Sequence, residues 1–140
     1  MKHPILGPLV ALVLWSLFIW MWMYLRMLPA IIGNNIVYNP YRPKEEFISK
    51  IPAHSRWPAD NYNHLMEQPT IFYAIILTLA ILGNSDETNV NLAWAYVATR
   101  VVHSFIQILW NDVTARFVAF VASSLVMMAL AVRTAYIVFV

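Results

Sequence analysis

Cysteine is absent from this chain, and charge is scarce. Without cysteine there is no disulfide, no thiolate metal site and no cysteine nucleophile, and no redox compartment follows. Asp, Glu, Lys and Arg together make up 11% of the 140 residues, against about 25% in a soluble domain. The net charge of +2 is too small to point to nucleic acid. No internal repeat or low-complexity segment stands out. What the chain has in excess is apolar surface: 61% of its residues are hydrophobic and 14% aromatic. No soluble fold of this size can hide so much, so the bilayer must be its solvent. One domain is expected.

Four apolar runs predict an all-α, integral membrane four-helix bundle with spans at about 5–28, 59–82, 90–110 and 113–137. Ile5–Leu25 is too long for the apolar part of a signal peptide, and Pro29-Ala30-Ile31-Ile32 is not a small-residue cleavage site, so the first span reads as retained. Trp15, Trp20, Trp22 and Tyr24 crowd its second half and Arg26 ends it, as interface anchors do. Residues 29–58 form one long loop, broken by Asn34, Asn35, Asn39, Pro40, Pro43, Pro52 and Pro58. Within it Lys44–Ile48 predicts a short interfacial helix, and Phe47, Ile48, Ile51 and Trp57 argue that the loop packs on something. Asp60 is the expected N-cap of span two. Pro69 predicts a kink beside Glu67, because it donates nothing to the carbonyl of Leu65. Asn111-Asp112 is so short a connection that spans three and four must be antiparallel neighbours.

Loop charges predict an orientation. The first loop and its flanks carry Arg26, Arg42, Lys44, Lys50 and Arg56; the second loop carries no basic residue, and the N-terminus only Lys2. The positive-inside rule therefore puts the long loop and the Asn111-Asp112 turn in the cytoplasm and both termini on the opposite side.

The chemistry gathers around Asn63-His64-Leu65-Met66-Glu67-Gln68-Pro69. A carboxylate in hydrocarbon persists only if it is partnered or used. At about 1.5 Å per residue, Glu67 and Arg100 come out nearly level in spans two and three, so an ion pair between them is expected. Tyr96, Arg100, His103, Gln107 and Asn111 follow a three–four spacing and share a helix face; Asn63, Glu67 and Thr70 make a similar stripe. Arg116 is a turn into span four from the same side, with Asp112 its expected local partner, and Arg26 lies at that side of span one. A second interpretation stands beside each of these. Glu67–Arg100 reads equally as an ion pair that only locks two helices. His103 alone reads as a packing residue, Arg26 and Arg133 as snorkelling anchors. His64 and His103 lack the company of a metal site, so no metal is expected.

Four spans, a long first loop, the Asn/Glu motif of span two (Asn63–Tyr73) and Arg100-Val101-Val102-His103 followed by Arg116 resemble the MAPEG family, the membrane-associated proteins of eicosanoid and glutathione metabolism. The resemblance covers nearly the whole chain. It implies a homotrimer of four-helix subunits with glutathione bound between neighbours near the cytoplasmic side. It implies that Glu67 helps hold glutathione and the bundle, that Arg100 supports the site, that Arg116 stabilises the glutathione thiolate, and that Arg26 contributes. Asn63-His64 stands where glutathione-using animal members read Arg-Asn, and Gln107 where a tyrosine often contacts glutathione. Two functions follow. One is a glutathione transferase or peroxidase acting on lipophilic electrophiles, with Arg116 lowering the thiol pKa and Arg26, Asn63, His64, Glu67, Arg100, His103 and Gln107 holding glutathione. The other is a non-enzymatic relative that binds a lipid or a partner between subunits. A four-span multidrug exporter is disfavoured: such proteins carry their intramembrane acid in the first span and have short loops, whereas here span one holds no acid and the first loop is long.

Overall fold

Lipid offers the backbone no hydrogen bonds, so a chain this apolar has to form helices long enough to cross. The computed structural model describes residues 3–140, and Lys2 lies outside them. Four helical stretches have membrane length: Leu6–Gly33, Ala53–Ile81, Glu87–Trp110 and Val113–Phe139, of 28, 29, 24 and 27 residues. About 20 suffice to span a bilayer. The elements are α1 (Leu6–Gly33), α2 (Lys44–Lys50), α3 (Ala53–Glu67), α4 (Pro69–Ile81), α5 (Glu87–Phe105) continued by a π-helical turn (Ile106–Trp110), and α6 (Val113–Phe139). The described residues contain no strand. The protein is an all-α, integral membrane four-helix bundle.

Two spans outrun their expected ends. α1 does not stop at Leu28 but passes through Pro29 to Gly33. A proline costs one backbone bond, whereas ending the helix beside the apolar Ile31 and Ile32 would strip several groups at once. Asn34 then closes α1, donating to the Ala30 carbonyl from both its backbone N–H (3.3 Å) and its side-chain Nδ2 (2.7 Å). Span two starts at Ala53, not near residue 59, so Asp60 sits inside α3 and caps nothing; Pro52 occupies the N-cap position. The buried line explains the early start. Ser55, Pro58, Asn61, Leu65, Pro69, Phe72, Ile76 and Leu79 are buried at steps of three and four through α3 and α4. The ladder is interrupted at Gln68, whose φ/ψ of −60/−39 stay helical. Pro69 leaves Leu65 without a donor there, and the Thr70 hydroxyl donates 2.6 Å to the Glu67 carbonyl.

Around that line α1 contributes Leu12 and Ile19, α5 Ala93, Tyr96 and Val97, the π-helical turn Ile108 and α6 Leu130. The Tyr96 ring stacks on Phe72 at 4.5 Å. The Trp15 indole N–H of α1 donates to the Ser104 hydroxyl of α5 at 3.2 Å. α6 lies outermost, burying only Ser123, Leu130 and Thr134. It runs antiparallel along α5 because Asn111 turns the chain in the left-handed region (φ 52). Asp112 caps α6 by accepting from the Ala115 N–H at 2.7 Å.

At the opposite end α4 closes in a Schellman turn, with Asn84 N–H bonded to the Leu79 carbonyl and Gly83 N–H to Ala80. Gly83 takes φ +66 there, where a side chain would be strained. Asn84 then accepts from the Asn89 amide at 2.9 Å. Arg133 is more than an interface anchor. Its guanidinium reaches Asp86 at 2.7 Å and Asn89 at 2.8 Å, fastening α6 to the start of α5.

Candidate functional site

One face of α5 carries the polar residues of the interior. Tyr96 and Arg100 are 0% exposed, His103 3% and Gln107 1%. The expected stripe therefore points inward, and Asn111 is its half-buried end. Arg100 is the largest of the fully buried side chains. Its Nη2 donates to the backbone carbonyl of His64 at 2.9 Å, and its Nε and Nη1 are buried with no partner. It therefore docks on the last turn of α3, beside the break that Pro69 creates.

The expected Glu67–Arg100 ion pair does not form. Glu67 turns outward with 69% of its side chain exposed, and its one ionic contact is His64 Nδ1 at 3.4 Å. Helix geometry gives the reason. Leu65 is on the buried line, and Glu67, two residues on, is about 200° further round. Asn63 stands in the same relation to Asn61, and the Asn63–Glu67–Thr70 stripe is exposed along its length. The spacing of that stripe is helical, but it marks the face opposite the interior. The inward asparagine is Asn61, which is 0% exposed and donates to the Gln107 carbonyl oxygen at 3.0 Å. Following the apolar line Leu79, Ile76, Phe72, Leu65 backward by threes and fours reaches Asn61, so the signal was present in the sequence.

The other expected residues fall into place around this interior. The His64 and His103 rings meet edge-on, with centroids 6.1 Å apart, and His103 Nδ1 is buried without a partner. Arg116 is half-buried; its Nη1 donates to Asn111 Oδ1 at 2.6 Å and its Nε is buried and unpartnered. Asp112 is not its side-chain partner, because that carboxylate is engaged in capping α6. Arg26 is exposed on α1, away from the inward line, and makes no side-chain hydrogen bond or ion pair among the described residues. Asn63 opens instead on a pocket between α1, α2 and α3. No group of three or more His, Asp and Glu suited to a metal ion occurs among the described residues.

The arrangement is electrostatically lopsided. A guanidinium lies inside with no carboxylate, while the nearest acid of the motif points out. A buried charge without a counter-charge is costly, and so is an orphaned polar atom. Tyr96 Oη, Asn61 Oδ1 and His103 Nδ1 join the two free Arg100 nitrogens as buried atoms without partners. Of these atoms, the Arg100 nitrogens and the Tyr96 hydroxyl can donate to an anion, whereas Asn61 Oδ1 can only accept.

A sequence profile of the MAPEG family matches residues 5–136, which leaves out only the chain ends. No curated protein and no solved structure matches the chain significantly. With its four membrane-length helices and a family match over nearly its whole length, this chain belongs to the MAPEG family.

Proposed function

We propose that this protein is a membrane glutathione transferase or peroxidase that conjugates glutathione to lipophilic electrophiles. The observation that carries the reading is Arg100: wholly buried, holding one backbone carbonyl, and without a carboxylate partner. An anionic tripeptide supplies both the missing charge and acceptors for the free N–H groups. When bound, glutathione brings the thiol that becomes the nucleophile. The chain supplies cations. Arg116, tethered by Asn111, stabilises the thiolate, as a nearby cation must for a thiol of pKa about 8.5 to ionise at neutral pH. Arg100, His103 and Gln107 from the interior, His64 beside His103, and Asn63, Glu67 and Arg26 from the outward face hold the tripeptide.

Those outward residues belong to the same reading. Glu67 and Arg26 are charged, exposed and in or beside membrane spans, which is costly unless a neighbour covers them. A homotrimer that sets the outward face of α3 against a second copy provides that cover and puts glutathione between subunits. The first loop then lies in the cytoplasm, where its basic residues belong. The test is conjugation in detergent with glutathione and a chromogenic aryl halide. Arg116→Ala lowers turnover by at least about 100-fold while the oligomer survives. Turnover left intact in that variant removes Arg116 from the mechanism.

A second reading, a family member that binds a lipid or partner without glutathione chemistry, is favoured by Gln107, whose amide oxygen is already engaged by Asn61. Calorimetry that gives no heat with glutathione selects it.

A further inference from the structure

The pocket between α1, α2 and α3 is not part of the Arg100 interior; of the residues assigned above to glutathione, Asn63 alone lines it. Met27, Leu28 and Ile31 of α1 form its floor, and Phe47 and Ile48 of α2 its cover. The Phe47 ring meets the Tyr38 ring edge-on at 5.3 Å. Lys44, Arg56 and Asp60 supply its charge. Its volume is about 320 Å³, at the lower end of the range of about 300–1,000 Å³ for small-molecule sites. That is room for a stretch of acyl chain. Nearby, Glu46 takes Arg42 at 2.9 Å and Lys50 at 3.3 Å, and Glu45 does not line the pocket. Lys44 has no such partner among the described residues, and Arg56 Nε is buried with none. Two cations face one carboxylate, which leaves a single positive charge over an apolar floor. The last turns of α1 also put the pocket where a span leaves hydrocarbon, the depth at which anionic head groups meet Lys and Arg.

We propose that this pocket binds an amphiphile with one anionic head and one acyl chain in it, the head on Arg56 and Lys44 and the chain between α1 and the Phe47–Ile48 cover. A free fatty acid and one chain of an anionic phospholipid share this chemistry. Glutathione does not, since it has two carboxylates and no chain.

The experiment uses the full-length protein in phosphatidylcholine nanodiscs with a palmitic acid carrying a photoreactive diazirine. Saturable crosslinking to Met27–Ile31 and Phe47–Ile48 is expected. Arg56→Gln and Lys44→Gln each weaken it at least tenfold, and Met27→Trp, which fills the floor with the charges left in place, abolishes it. Displacement by phosphatidylglycerol in the disc assigns the site to a bilayer lipid, and resistance to it assigns the site to a free acid; both sustain the proposal. Crosslinks spread evenly over the lipid-facing helices, or unchanged in folded Lys44→Gln and Met27→Trp, overturn it. Displacement by glutathione also overturns it, because the pocket would then belong to the conjugation site. Loss of glutathione conjugation in a protein that still takes the probe would refute the transferase reading and leave this one standing.

Discussion

Two arginines on neighbouring helices, Arg133 of α6 and Arg100 of α5, are used in opposite ways. Arg133, half-exposed, has a counter-charge: Asp86 accepts from its Nη2 at 2.7 Å and Asn89 from its Nε at 2.8 Å, and Asn89 is in turn held by Asn84. Arg100, wholly buried, meets one carbonyl and no acid. Where a charge could be satisfied within the chain, beside the Schellman turn, the fold satisfied it. Where satisfaction was most needed, the fold aimed the nearest carboxylate outward. The first arginine fastens helices, and the second keeps two nitrogens without a hydrogen-bond partner among the described residues.

Swapping each arginine for an apolar side chain of similar length sharpens this contrast most. Arg133→Met orphans the Oδ1 of buried Asn89 and lowers stability by about 1–2 kcal/mol. Arg100→Met removes a buried unpaired charge and leaves stability unchanged, or raises it by about 1–4 kcal/mol, in the absence of ligand. Thermal unfolding in detergent without glutathione measures both. Equal losses would mean that Arg100 is as structural as Arg133.

A smaller effect separates the two faces of α3. Asn61→Ala leaves Gln107 without its partner and costs about 0.5–2 kcal/mol. Asn63→Ala, on the outward face, changes the stability of the isolated subunit by less than about 0.5 kcal/mol. The reverse order would put Asn63 inside. A comparable effect is expected at the turn that positions Arg116. Asn111→Gly keeps the left-handed backbone at little cost, while Asn111→Val strains it by about 1–2 kcal/mol. The two variants compared by the same melting assay show whether backbone or side chain matters at that position.

Much of this molecule was legible in its sequence. Length and apolarity dictated four spans, and Asn111-Asp112 dictated the antiparallel pairing of α5 and α6. Three–four spacing placed Tyr96, Arg100, His103 and Gln107 on one face, and Pro69 marked the break beside Glu67. What escaped was rotation and the reach of single prolines. Level height put Glu67 beside Arg100, but height does not fix which way a helix is turned; two residues from Leu65 is enough to reverse it. Pro58 reads as a loop signal and the first span as ending at Leu28, yet α3 runs through Pro58 and α1 through Pro29. Asn61 was hidden among the asparagines of one short segment, and only the buried line that passes through it tells it from Asn63.

Whether the Arg100 interior receives an anion is read from the melting temperature with and without glutathione. A saturable rise is expected in the wild type and in Arg133→Met, equivalent to about 2.7 kcal/mol at a hundredfold excess over Kd, and none in Arg100→Met. The same rise in Arg100→Met, or no rise in the wild type, refutes anion binding at Arg100.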